Sequence, residues 1–215
     1  MSIKLLKLDK SYVNSVGNLL ADSFMDNPLM IYFFPDESIR EKILPKIYGS
    51  VADITMTFGT VYATSENLEG VIGVIDNNKR VIKLNIIGAI IKAIFINLPS
   101  LKYISIVDII KKSKNISMNN YPKNISRCFY IEMVAVDRRY RGQKYMSKLI
   151  RAVLEEAKNN KLHCVLQTET EENVMKYEHL GFKLCNKIES IPGKLYHYIL
   201  IYNPCDGRVE RLTWR

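Results

Sequence analysis

One carboxylate interrupts an otherwise apolar run: Glu132 sits within Phe129, Tyr130, Ile131, Met133, Val134, Ala135 and Val136. The run is rich in β-branched and aromatic residues and reads as a buried strand. A carboxyl group there resists ionisation and holds its proton toward neutral pH, which suits a general base. Its alternative role is a buried ion pair with one of the chain's many basic residues. The chain then turns through Asp137 to Tyr145 and enters a helix whose apolar residues Met146, Leu149, Ile150, Val153, Leu154 and Ala157 recur at three and four. The first turn of such a helix aims free N–H groups at one point, and the helix dipole adds positive character. Arg138, Arg139, Arg141 and Lys144 crowd the same place. A phosphate is the natural ligand for that point.

The run from Val136 to Leu149, with Arg141, Gly142, Gln143, Lys144, Tyr145 and Met146 at its centre, resembles the acyl-CoA signature of the GCN5-related N-acetyltransferase (GNAT) superfamily. In that pattern Arg or Gln is followed, two residues on, by Gly, and then after one residue by Gly or Ala. Arg141 takes the first position, whereas Lys144 and Met146 replace the two small residues. Ordinary helical φ angles at both would keep their N–H groups available, because an N–H donor does not require glycine. A second run, Asn173, Val174, Met175, Lys176, Tyr177, Glu178, His179, Leu180, Gly181, Phe182, is similar to the family's other signature, where an Asn four residues before a Tyr opens a helix that Leu-Gly-Phe ends.

The resemblance implies an α/β (α+β) GNAT fold, a central, mixed but mostly antiparallel sheet of about seven strands flanked by helices. It implies acetyl-CoA as acyl donor, no metal, and an amine of a small molecule or peptide as acceptor, attacked directly on the thioester. The backbone of Val134, Ala135 and Val136 would pair with the pantetheine amides as an added strand. The N–H groups from Arg141 to Met146 would hold the pyrophosphate. Tyr177 would protonate the leaving thiolate, against the plainer role of a core tyrosine, and Asn173 would bond the pantetheine, against a role in helix capping. Glu132 would take the amine's proton, directly or through water. A GNAT-like domain that binds acyl-CoA without catalysis, as a sensor or interaction module, is the alternative.

The rest of the chain must position these residues. At 215 residues and 47% hydrophobic, it suits one domain over 1–203, with a helical insert at 83–122 and a tail over 204–215. The net charge of +9 is dispersed, which argues against a nucleic-acid stripe. Cys128, Cys164, Cys185 and Cys205 show neither a zinc spacing nor a CxxC pair, so reduced thiols and a cytoplasmic location are expected. Leu84 to Leu98 is the most apolar stretch, but it contains Lys92 and Asn97 and falls short of the roughly 20 residues a bilayer needs. A monomer or homodimer with no membrane association is expected.

In chain order the pattern predicts a strand at Ile3–Leu8, a helix at Tyr12–Phe24 and a loop or short helical turn rich in large apolar residues from Met25 to Pro35. That loop is either core lining or a wall of the acceptor pocket. A helix over Ile39–Thr57 follows, with Pro45 inside, then a hairpin of Thr60–Ser65 and Val71–Ile75. After the signature helix come a strand at His163–Thr168, the short helix from Asn173, and strands at Lys183–Glu189 and Leu195–Tyr202. His163, His179 and His197 are scattered and read as structural.

Overall fold

The computed structural model describes residues 4–76, 127–191 and 193–205. The expected insert at 83–122, the apolar stretch Leu84–Leu98 and most of the tail lie outside the described residues.

Among the described residues seven strands form one sheet in the order β1-β2-β3-β4-β5-β7-β6. They are β1 (Leu6–Lys7), β2 (Thr60–Ala63), β3 (Gly70–Asp76), β4 (Cys128–Val136), β5 (His163–Thr168), β6 (Lys183–Ile191) and β7 (Leu195–Tyr202). All neighbours are antiparallel except β4 and β5, which run parallel. This is the mixed, mostly antiparallel sheet the sequence predicts, although the first strand keeps only two of its expected residues.

The helices are α1 (Val13–Ser23), α2 (Pro28–Phe33), α3 (Glu37–Phe58), α4 (Tyr145–Asn159) and α5 (Glu171–His179). Asp9 caps a short 3-10 turn before α1 by accepting the Ser11 N–H. Asn27 and Asp36 cap α2 and α3 in the same way, so the apolar segment takes the helical one of its two expected forms and α3 starts two residues earlier than expected. Leu29, Met30, Phe33 and Phe34 are buried, so most of the Phe24–Pro35 segment is core lining. Arg40, itself buried, donates from Nη1 to the carbonyl oxygens of Phe34 (2.9 Å) and Pro35 (2.8 Å) and so closes the end of α2.

Two apolar layers sandwich the sheet. On one face α4 sets Leu149, Ile150, Val153, Leu154 and Ala157 against Ile72, Phe129, Ile131, Leu166 and Leu200. On the other, α1, α2 and α3 cover Val61, Ala63, Val71, Met133 and Ala135. Helices α1 and α3 approach so closely that a Cβ on Gly17 would lie 2.8 Å from Gly49 Cα and 2.9 Å from the Pro45 carbonyl oxygen. Strand β4 contributes to both layers because it changes face midway. Val74 pairs with Ile131 and Gly73 with Met133, so Glu132 is the extra residue of a β-bulge. Phe129 and Ile131 face α4, while Met133 and Ala135 face α1 and α3.

Candidate active site

The bulge lies where the parallel pair comes apart. Pairing of β4 with β5 runs from Cys128/His163 to Ile131/Leu166 and stops, although β4 continues to Val136 and β5 to Thr168. Beyond Ile131, β4 is paired only on its β3 side, so its other backbone edge is open. The Asp137 N–H donates to the Glu69 carbonyl oxygen on the β3 side at 3.0 Å. Peptide directions alternate along a strand, so the N–H and C=O of Val136, and by the same alternation those of Val134, face the open side. Glycine at position 70 fits this packing, since a Cβ there would stand 2.9 Å from the Leu149 side chain.

The open edge leads straight to the start of α4. Asp137 caps a 3-10 turn, Arg138–Tyr140, by accepting the Arg139 N–H, and its carboxylate also takes the Arg139 guanidinium at 2.7 Å. Those contacts hold the Asp137 carboxyl below its ordinary range, hydrogen bonding to Arg139 being the main cause. Arg138 pairs with Asp22 at 2.9 Å. Half of the expected basic cluster is therefore spent on local carboxylates. Arg141 and Lys144 are exposed, and among the described residues their side chains make no hydrogen bond or ion pair. No side chain caps α4, and its first intrahelical bond runs from the Lys148 N–H to the Lys144 carbonyl oxygen. The N–H groups of Tyr145, Met146 and Ser147 thus have no intrahelical acceptor.

Lys144 does not have the ordinary helical φ expected of it. It is left-handed, at φ 64° and ψ 15°, while Gly142 has φ 78°. The turn needs a left-handed residue immediately before the helix. A lysine there costs about 1 kcal/mol that a glycine would not. Met146 stands inside α4 with no such demand.

Glu132 is half-buried at the fork, and desolvation pushes its pKa up to about 7. Among the described residues it forms no ion pair, so the buried salt bridge expected as its alternative role is not there. Tyr177 lies on α5, 9% exposed, edge-on to Phe182 with ring centroids 5.9 Å apart. Burial, and then the charge of Glu169, raise its phenol pKa. Asn173 gives its N–H to the Thr170 side chain (3.3 Å) and its amide to the Thr168 hydroxyl (3.2 Å), so it serves the start of α5. Gly181, at φ 100°, ends that helix in the left-handed conformation expected of it.

Sequence reasoning missed a polar group beside this fork. Glu169 follows directly on β5, its side chain 14% exposed, and accepts the Asn27 amide at 3.0 Å. Fully buried His197 of β7 brings Nδ1 within 3.6 Å of Glu169 and 2.6 Å of the Gln167 side-chain nitrogen. The signal was the position alone: polar residues at the carboxyl ends of parallel strands are where open sheets bind ligands. A hollow of about 220 Å³, bordered by Tyr62, Asp76, Arg127 and Glu156, lies at the opposite end of β4 and contains none of these groups. Among the described residues no cluster of His, Cys, Asp and Glu could hold a metal, and no helix is long and apolar enough to cross a membrane.

A parallel pair that splays at a bulge, followed by a turn and an uncapped helix, is the core of the GNAT fold. Residues 105–182 match the acetyltransferase (GNAT) family. Solved structures agree in fold. A histone acetyltransferase HPA2 and related acetyltransferase from Corynebacterium glutamicum is similar at 15% identity and TM-score 0.61, over 97% of this chain and 100% of that one. An N-acetyltransferase from Staphylococcus aureus aligns at 18% identity and TM-score 0.57, over 92% and 99%. Arylalkylamine N-acetyltransferase 2 from Aedes aegypti aligns at 14% and 0.54, over 94% and 98%. No curated protein sequence matches the chain.

Proposed function

We propose that this protein is an acetyl-CoA-dependent N-acetyltransferase acting on an amine of a small molecule or peptide. The observation that carries the reading is the parting of β4 from β5 beyond Ile131/Leu166, which leaves an open strand edge leading into an uncapped helix. The residues there fit coenzyme A: the N–H and C=O of Val134 and Val136, but not those of Ala135, which face β3, for the pantetheine amides, N–H groups from Arg141 to Met146 for the pyrophosphate, and the exposed cations Arg141 and Lys144 beside it. When bound, acetyl-CoA supplies the acyl group as a thioester.

The remaining chemistry is proton transfer. Glu132, with a pKa near 7, takes a proton from the acceptor's ammonium, directly or through water, so that the free amine attacks the thioester carbon. As the carbon–sulfur bond breaks, the thiolate leaving group would take the Tyr177 phenol proton, and the second proton that the attacking nitrogen loses as the amide forms would restore the phenol, directly or through water. Burial raises the pKa of that phenol and keeps it neutral, so it has a proton to give. The test is incubation with acetyl-CoA and a panel of primary amines, followed by thiol release and product mass. Acetylated amine is the expected result. Tight acetyl-CoA binding without any acetylated amine would overturn catalysis and leave an acyl-CoA-binding module.

A further inference from the structure

Glu169 has more structural investment than the proposed chemistry uses. It stands at the carboxyl end of β5, beside the fork, held on one side by an amide and flanked on the other by an imidazole. The Asn27 amide donates to Oε2 at 3.0 Å, and Asn27 simultaneously caps α2 by accepting the Leu29 N–H at 2.9 Å. The carboxylate is therefore fixed relative to the α1–α2 wall. On the other side His197 Nδ1 lies 3.6 Å from Oε1, with the imidazole held by Gln167 at 2.6 Å. The Glu169 charge also raises the phenol pKa values of both Tyr48 on α3 and Tyr177 on α5, although burial is the larger cause in each. The carboxylate thus lies in electrical reach of the candidate acid and of the aromatic wall where Tyr48 stacks on Phe24, centroids 5.1 Å apart.

What this carboxylate lacks is a cation. Among the described residues no lysine or arginine pairs with it; its nearest basic partner is His197, fully buried and with Nε2 left without a hydrogen bond. A mostly buried carboxylate without a permanent countercharge forfeits hydration and gains it back only from a cationic ligand. At 14% exposure it remains reachable.

We infer that Glu169, oriented by Asn27, is the specificity residue that receives the acceptor's ammonium group, so that the acceptor enters as a cationic amine. This rests on the acetyltransferase reading and deepens it. Glu132 then removes the proton, while Glu169 selects the charge.

The test is calorimetric titration of the full chain, saturated with coenzyme A, with phenylethylamine and hexylamine and with phenylethanol and hexanol as uncharged counterparts. The amines are expected to bind at least about tenfold more tightly than the alcohols, as loss of one charged partner requires. Glu169→Gln keeps the Asn27 contact and should abolish that preference without changing coenzyme A affinity. Equal binding of amine and alcohol, no binding of either, or an unchanged preference in Glu169→Gln would overturn the assignment. Coenzyme A affinity is titrated separately in both proteins, and acetylation of the same amines by acetyl-CoA is followed by mass, so failure of this assignment is distinguished from failure of acetyl transfer.

Discussion

Replacing Glu132 by Gln tests the state of the fork most directly. The group's ordinary pKa is 4.5, and burial raises it to about 7 in the folded chain. Each unit is worth about 1.4 kcal/mol, so ionising the folded carboxyl costs about 3 kcal/mol more than ionising it in the unfolded chain. The direction follows from proton counts. Between pH 4.5 and 7 the folded protein keeps a proton that the unfolded chain has released, so rising pH draws the equilibrium toward unfolding. Above the folded pKa both states are ionised and the loss is complete. Gln has nearly the same size and nothing to titrate. Urea unfolding of both proteins from pH 4.5 to 8 should show the variant gaining about 3 kcal/mol on the wild type across that range. In parallel, the wild type's kcat/KM for an amine should rise through pH 7 and the variant's should stay low and lose that rise. Stability curves that remain parallel would refute the desolvation argument. Curves in which the wild type gains on the variant as pH rises would mean that Glu132 has a cationic partner when folded, the opposite sign.

Lys144→Gly relieves a left-handed lysine and should raise the unfolding free energy by about 1 kcal/mol. It also removes a free cation, so coenzyme A binding should weaken at low salt and lose part of its salt dependence, as calorimetry at two ionic strengths would show. Gly17→Ala drives a methyl into the α3 backbone and should cost about 2 kcal/mol in urea unfolding, whereas Gly49→Ala meets nothing within 4 Å and should be neutral or slightly stabilising. Tyr177→Phe keeps the ring beside Phe182 and loses only the proton, so kcat should fall by roughly a hundredfold with coenzyme A affinity unchanged.

Local rules made the individual elements legible. Alternation and periodicity located β5, β7, α4 and α5 to within two residues, because each buries one regular face. What failed to show was whatever depended on partners far along the chain. The residues around Glu132 read as a simple buried strand, and the bulge appears only when β3 is laid beside it, with Gly73 opposite Met133 and Val74 opposite Ile131. Lys144 offered no cue, since the left-handed turn is imposed by the connection from the Arg138–Tyr140 turn into α4, against the residue's own preference. Arg138 and Arg139 seemed to be free charges until Asp22, from α1, and Asp137 were found beside them.

Glu169 and His197 show the same limit at the site itself. They are far apart in sequence, and only insertion of β7 between β5 and β6 brings the imidazole against the end of β5. That strand order also explains the division of labour. β4 supplies Glu132 on one side of the fork, and β5 with β7 supplies Glu169 and its imidazole support on the other. The two carboxylates meet different surroundings as a result. Among the described residues Glu132 has no ion-pair partner, and burial pushes it toward neutrality, which suits a group that must accept a proton and release it. Glu169 is held by an amide beside an imidazole, which fixes the position of a group that must receive a cation. Exchanging the environments should exchange the roles: Asn27→Leu, which strips the amide from Glu169, should reduce the preference for charged amines while leaving the pH profile set by Glu132 in place.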